Sequence, residues 1–548
     1  MKTGTSNGGI AGAQQSVMAH NFSQIPDANI PRSQFNRSHG YKTTFNSGYL
    51  VPVFVDEVLP GDTFSVKMSS FARLATPLKP IMDNMFLETF FFFVPNRLVW
   101  DNWEKFNGAQ TNPGDSTDYL IPQIPAPATT GWTPGSLGDY FGIPIGKTGF
   151  SVNSLHFRAY NLIWNEWFRD ENLQNSLVVD KDDGPDTATD YVLKRRGKRH
   201  DYFTSCLPFP QKGPAVQLPL GTSAPVIGNG KTLGLTNGGS FAGIAGIAGP
   251  GTRTDTGLYN VAVGTAPTAA LTTGGGLGVT TNAAASGVIA DLTGATAATI
   301  NQIRQAFQIQ RLYERDARGG TRYTEILRAH FGVTSPDFRL QRPEYLGGGS
   351  TPVNIHPVAA TSGVPSLGTP PQGNLAAFGT AATSGHGFTK SFVEHGVLIG
   401  LACVRADLNY QQGLNRMWSR RGRFDLYWPA LSHLGEQAVL NKEIFLQSTS
   451  ADNDVFGYQE RYAEYRYKPS LVTGLFRSDA AGTIDVWHLA QDFASLPLLN
   501  GTFIEENPPV QRVIAVPGEP EFLLDCYFDM KSARPMPVYS VPGLIDHF

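Results

Sequence analysis

The sequence predicts an all-β protein, an antiparallel sandwich carrying long loop insertions and a few helices. Three observations lead there. Glycine and proline number 59 and 38, together 97 of 548 residues. Short apolar runs alternate with these turn residues, the pattern of a sandwich with long loops. Strand-like runs come early and late with helix-like stretches between, which favours insertions into one β scaffold over separate domains.

Residues 49–58 read as the first strand. Residues 63–71 alternate, with Phe64, Val66 and Met68 on one face and Ser65, Lys67 and Ser69 on the other. Residues 86–94 contain Phe90, Phe91, Phe92 and Phe93, which suits a strand buried on both faces. Residues 392–405, 423–428, 484–489, 510–516 and 521–529 complete the strand candidates. Tyr160, Ile163, Trp164, Trp167 and Phe168 fall at helical spacing and form one apolar stripe. Thr299 and Gln302 form a capping box, and Ile300, Ile303, Phe307 and Tyr313 continue a helix to about residue 315.

Residues 220–300 differ from their surroundings. The 81 positions hold 18 glycines and four charges, Lys231, Arg253, Asp255 and Asp291. No Gly-X-Y period runs through them, and their scattered Ile, Val and Phe argue against full disorder. Ordering against copies of the same segment around a symmetry axis is expected. Residues 347–387 read as a second long surface loop. The first seventeen residues are polar and glycine-rich, and mobility or ordering by assembly is expected there.

Hydrophobic residues make up 41% of the chain, enough for a sizeable core. Charged residues reach only 16%, against roughly a quarter in soluble domains. A surface poor in charge fits coverage by other subunits, since charge is depleted at interface cores. The net charge of −3 argues against a long basic arm for nucleic acid. Cys206, Cys403 and Cys526 lie far apart without CxxC spacing, so free thiols in a reducing compartment are expected. No apolar run follows Lys2 as in a signal peptide, and the longest apolar stretch, residues 397–404, is too short to span a bilayer. A soluble protein without membrane insertion is expected.

Catalytic motifs fail. No GxSxG or HExxH occurs. Gly146-Lys147-Thr148 and Gly230-Lys231-Thr232 end like phosphate loops, but Phe141 and Pro225 occupy the positions where the wrap needs glycine. Asp180, Asp182, Asp183, Asp186 and Asp190 form an acidic segment that could hold calcium, though without EF-hand register; a solvated loop is the plainer reading. No catalytic residue, cofactor or metal ligand is therefore expected.

Two basic segments remain as nucleic-acid candidates. Lys194, Arg195 and Arg196 open a run through Lys198, Arg199 and His200, dense enough for phosphates; the alternative is a solvated face balancing the aspartates. Arg416, Arg420, Arg421 and Arg423 interleave with Trp418, Phe424, Tyr427 and Trp428. Arginine for phosphate and aromatic faces for bases is what single-stranded nucleic acid uses. Arginine and aromatics are equally at home in a protein interface.

Longer blocks then carry a resemblance. Asn36-Arg37-Ser38-His39-Gly40, Phe54-Val55-Asp56-Glu57-Val58-Leu59-Pro60-Gly61-Asp62 and Phe71-Ala72-Arg73-Leu74-Ala75-Thr76-Pro77 begin it. Tyr313-Glu314-Arg315-Asp316-Ala317-Arg318-Gly319-Gly320, Gln341-Arg342-Pro343-Glu344-Tyr345-Leu346 and Tyr427-Trp428-Pro429-Ala430-Leu431 continue it. The chain resembles major capsid proteins of gokushoviruses, a branch of the Microviridae. The resemblance implies a viral antiparallel jelly roll that self-assembles into a minimal (T=1) icosahedral virion around circular single-stranded DNA. It implies residues 19–219 and 301–548 as the jelly-roll domain, and residues 220–300 as a variable three-fold protrusion that contributes to host attachment. Residues 1–18 form an extension atypical of the family, with Met18 a candidate internal start. Scaffolding, DNA-pilot or small DNA-binding proteins and a host cell-surface receptor are the implied partners, and the bacterial host cytoplasm the place of assembly. The rival functions are a secreted β-sandwich carbohydrate-active enzyme, which needs a carboxylate pair in a cleft, and a phage adhesin.

Overall fold

The computed structural model describes residues 31–213, 216, 226–228, 234–236, 241–243, 278–279, 288–290, 300–320, 323–332, 340–361 and 372–539. The chain divides into two compact units, Met1–Pro208 with Ser335–Phe548, and Phe209–Thr334.

Among the described residues of the first unit, ten strands build two antiparallel sheets, besides two short hairpins: β1 (Ser33–Asn36), β2 (His39–Phe45), β3 (Val51–Val58), β4 (Thr63–Leu74), β5 (Met85–Pro95), β6 (Glu344–Pro352), β7 (Asn354–Ala359), β8 (Leu375–Ser391), β9 (Gly396–Ala406) and β10 (Phe522–Arg534). One sheet runs β1–β10–β4–β8–β7, with β2 also on β10; the other runs β3–β9–β5–β6. The pairings nest. β2 lies on β10, β3 on β9, β4 on β8 and β5 on β6, so the chain is one long hairpin wrapped into two sheets. That is the jelly roll.

Burial follows from side-chain alternation. In β4 and β10 every second residue is buried, and Phe64, Val66, Met68, Leu524, Phe528 and Met530 meet the opposite sheet. Residues such as Phe71, Arg73, Leu523 and Tyr527 face outward. β9 is buried at every position. Its Leu398, Ala402 and Val404 join the inter-sheet core, while Val397, Ile399, Leu401 and Cys403 face a second core. The phenylalanine run divides likewise: Phe91 and Phe93 enter the first core, Phe92 the second.

The second core is supplied by the chain between β5 and β6. Helix α1 (Leu155–Ile163), extended by a wider turn at Trp164–Phe168, buries Tyr160, Ile163 and Trp164 there. Trp167 stays 40% exposed and packs its ring 5.6 Å from that of Phe92. A third cluster, with Tyr202, Phe203, Cys206, Tyr410, Val439 and Phe456, holds part of the long connection from β9 to β10 to the body.

Several expected strands are turns. Residues 423–428 contain a 3-10 turn, Arg423–Asp425, because the Asp425 carboxylate accepts from the N–H groups of Arg421 (2.9 Å) and Gly422 (2.7 Å). Residues 484–489 contain the turn Asp485–Trp487, entered through the Thr483 hydroxyl, which accepts from the Asp485 N–H. Pro508 and Pro509 start a helical turn, Val510–Val513, that buries Val510 and Val513 together. Conversely, residues 347–387 are no loop: their described part holds most of β6, all of β7 and much of β8. The glycines serve close strand approach. A Cβ at Gly348 would lie 2.0 Å from the Thr89 carbonyl oxygen, and one at Gly387 2.0 Å from that of Val66.

In the second unit, helix α2 (Ile300–Gly319) runs further than residue 315 and packs on helix α3 (Tyr323–Phe331). A Cβ at Gly319 would meet that of Ala329 at 2.6 Å, and His330 Nε2 lies 2.6 Å from Asp316. Short strand pairs at Val226–Gly228 with Val288–Ala290, and Gly234–Thr236 with Phe241–Gly243 and Gly278–Val279, also belong to it. Residues 1–18, the Thr299 cap and most of residues 220–300 lie outside the described residues.

A cationic cleft in the connection before the last strand

Between β9 and β10 the chain builds a cleft of about 280 Å³. Arg416, Arg420, Lys442 and Arg461 line it together with Glu443, Glu464, Ser419 and Tyr462. The hairpin Glu436–Leu440 with Val455–Glu460 forms its base, and a 3-10 turn at Arg416–Ser419, capped by the Asn415 side chain, presents the arginines. Arg416 donates to the Ala438 carbonyl at 2.7 Å and to Glu443 at 3.0 Å. Arg420 donates to Glu464 at 3.3 Å and lies 4.2 Å from the Tyr465 ring centre. Burial pushes the Glu443 carboxyl above its ordinary value against the opposing pull of Arg416.

Donors here outnumber their partners. Ser419 Oγ, Arg420 Nε, Arg461 Nε and the Tyr462 hydroxyl are buried with no hydrogen-bond partner among the described residues. Such atoms are costly unless something else satisfies them. Tyr462 is 4% exposed and holds φ at +62°, a left-handed backbone that a tyrosine rarely adopts. Outside the cleft, Trp418 is 72% and Phe424 66% exposed; Arg421 and Arg423 are exposed too, Arg423 lying 4.6 Å over the Trp428 ring.

Of the sequence candidates, the cleft thus joins Arg416 and Arg420, and leaves Trp418, Arg421 and Arg423 on the neighbouring surface. Lys442 and Arg461 were missed. The Arg461-Tyr462-Ala463-Glu464-Tyr465-Arg466-Tyr467-Lys468 run has the same arginine and aromatic make-up and could have signalled its share.

The other basic run is tied into the subunit. Arg195 donates to the carbonyls of Glu506 (2.9 Å) and Ser47 (3.3 Å) and stacks 4.1 Å over Tyr49. Arg196 pairs with Glu88, which Arg405 also meets at 2.6 Å. Burial drives Glu88 up, but these guanidiniums more than reverse it and hold the carboxyl below its ordinary range. The Lys194 N–H donates to the Tyr160 hydroxyl, and Lys198 is buried over Phe503. The arginines of this run meet Glu88 and carbonyl groups, not the aspartates expected to balance them.

Nor is the acidic segment merely solvated. Buried Arg158 donates to Asp186 at 2.8 Å and to the Asp182 carbonyl at 3.0 Å, and Trp100 Nε1 donates to Asp183 at 2.7 Å. Among the described residues no group of three His, Cys, Asp or Glu is placed to hold a metal ion. The three thiols are free and buried, and burial pushes those of Cys403 and Cys526 up to about 12, far from a nucleophile's range. No described helix is long and apolar enough to cross a membrane.

Comparison with known proteins decides the family. The profile described as "Capsid protein (F protein)" matches residues 23–544. The chain belongs to the F-type capsid protein family. This capsid protein is 51% identical to Capsid protein VP1 of Bdellovibrio phage phiMH2K, over 96% of the chain and 98% of the relative. It is 47% identical to Capsid protein VP1 of Chlamydia phage 1 and 38% to that of Spiroplasma virus 4, with 96% of the chain covered each time and 98% and 97% of the relatives. These matches bear out the gokushovirus resemblance, and a capsid protein is a structural, self-assembling component of a virion.

Proposed function

We propose that this capsid protein forms, in the host cytoplasm, a shell enclosing circular single-stranded DNA, and that the cationic cleft and its rim form one surface facing the genome. The observation that carries this is the cleft's set of buried, unpartnered donors beside exposed Arg421, Arg423 and Trp418. Phosphate oxygens would satisfy Arg420 Nε, Arg461 Nε, Ser419 Oγ and the Tyr462 hydroxyl, and Trp418 offers a face for a base without sequence preference. Arg416 and Arg420, already paired with carboxylates, hold the cleft's shape. The function is read as structural, without a catalytic step. Residues 220–300 are read as contributing to host attachment through a cell-surface receptor.

A second reading has its own observation. Trp418, Phe424, Leu434 and Leu471 are all more than half exposed, apolar surface that a neighbouring subunit would cover. The R421Q/R423Q variant separates the two. The genome reading expects normal shell yield with reduced DNA per shell, measured by the absorbance ratio of purified particles. Folded subunits that no longer form shells would assign these residues to the subunit interface instead.

A further inference from the structure

We infer that helix α2 carries a second binding site for single-stranded nucleic acid, an arginine ladder separate from the cleft. Arg304, Arg311, Arg315 and Arg318 follow one another at intervals of seven, four and three, so they share one helix face. All four are exposed, and the ladder runs about 21 Å at the helical rise. Two carboxylates of this helix have partners of their own: Glu314, which adjoins Arg311 and Arg318, accepts from Gln310 at 3.1 Å, and Asp316 meets His330. In a chain of net charge −3, four arginines in line are not a consequence of composition.

Aromatic exposure beside the ladder identifies the ligand. Phe307 lies between Arg304 and Arg311 in the chain, adjoins the arginine face, and is 67% exposed. Apart from Ala317 no described residue of the helix is fully buried, so this ring is presented rather than packed within the subunit. Guanidiniums at successive turns with an open ring beside them match a phosphodiester strand with unstacked bases. A purely anionic surface, such as a lipid membrane, would leave the ring's stacking face unused. The choice of DNA as ligand rests on the enclosure reading; the geometry of the ladder does not.

The test is binding of labelled oligo-dT to the purified full chain across a salt series. R304Q/R311Q/R315Q is expected to weaken binding at least tenfold at low salt. It should also flatten the salt dependence by about 2, at about 0.7 for each phosphate no longer neutralised. F307A is expected to weaken binding with the salt slope unchanged. R304K/R311K/R315K keeps the charge and should retain the slope, which controls for folding together with an unchanged circular dichroism spectrum. Wild-type affinity and slope in the glutamine variant would overturn the inference. So would loss of binding to phosphatidylglycerol vesicles with oligo-dT binding intact, which would make the ladder a membrane-contacting face. R421Q/R423Q in the same assay reports on the cleft alone, and DNA content of shells reports on enclosure, so each reading can fail by itself.

Discussion

At the residue scale, the charges that looked most available in the sequence are those the subunit uses internally. Arg158 and Asp186 are a buried pair, and Glu88 is shared by Arg196 and Arg405. A local run such as Lys-Arg-Arg reveals charge density but not its partner, because Glu88 lies over a hundred residues earlier and Arg405 over two hundred later. Removing one member of such a group leaves the others buried and uncompensated. E88Q should therefore lower unfolding free energy at neutral pH by about 3–5 kcal/mol in urea melts. The pH dependence has a definite sign. The folded Glu88 carboxyl titrates below its unfolded value, so its contribution is complete above the ordinary glutamate pKa of about 4.3 and is lost as pH falls through the depressed one. The gap between wild type and E88Q should close in acid. A gap that is constant with pH would mean Glu88 acts by shape alone.

At the element scale, strands that alternate or bury both faces were legible, and those built with glycine were not. The period of Phe64, Val66 and Met68 reads directly as β4, and the four phenylalanines as β5. By contrast β6 and β8 read as loop, because Gly347, Gly348, Gly349, Gly379 and Gly387 look like turn residues until the neighbouring backbone is in view. Aromatic runs erred the other way: Arg423 to Trp428 has strand composition, yet the Asp425 cap turns the chain. The cleft was half legible, since Arg416 and Arg420 stand in one run while Arg461 comes from beyond the hairpin. Two alanine substitutions in β8 measure the role of its glycines. G387A forces a methyl against the Val66 carbonyl and should destabilise by about 1–3 kcal/mol through overpacking. G385A, at a bulge with φ of +79° and open space around it, should cost about 1–2 kcal/mol from backbone conformation alone. Crystallography of the two variants should show strand displacement for G387A only.

At the scale of the whole molecule, β5 and β6 pair with each other although residues 96–343 lie between them, so the two-sheet body does not depend on that connection being short. Loop length is tolerated because closure entropy rises only slowly with it. Replacing residues 221–299, a stretch within the second compact unit, with a short Gly/Ser linker should leave the sheets folded by circular dichroism and near-ultraviolet spectra. Particles formed from that variant should adsorb poorly to host cells in a sedimentation assay. Unchanged adsorption would place attachment elsewhere, and an unfolded subunit would make the stretch part of the core.

The nested pairing has a consequence for synthesis. Phe45 lies opposite Phe522, and β10 separates β2 from β4. While the chain leaves the ribosome, β1, β2 and β4 therefore wait without their shared central partner until the chain up to residue 534 has been translated. A prematurely terminated chain lacks β10, exposes two unpaired sheet edges and the apolar faces of Phe64, Val66 and Met68, and cannot close its first sheet. Placing β10 in the middle of the first sheet makes closure of that sheet wait on a strand hundreds of residues downstream of β2 and β4.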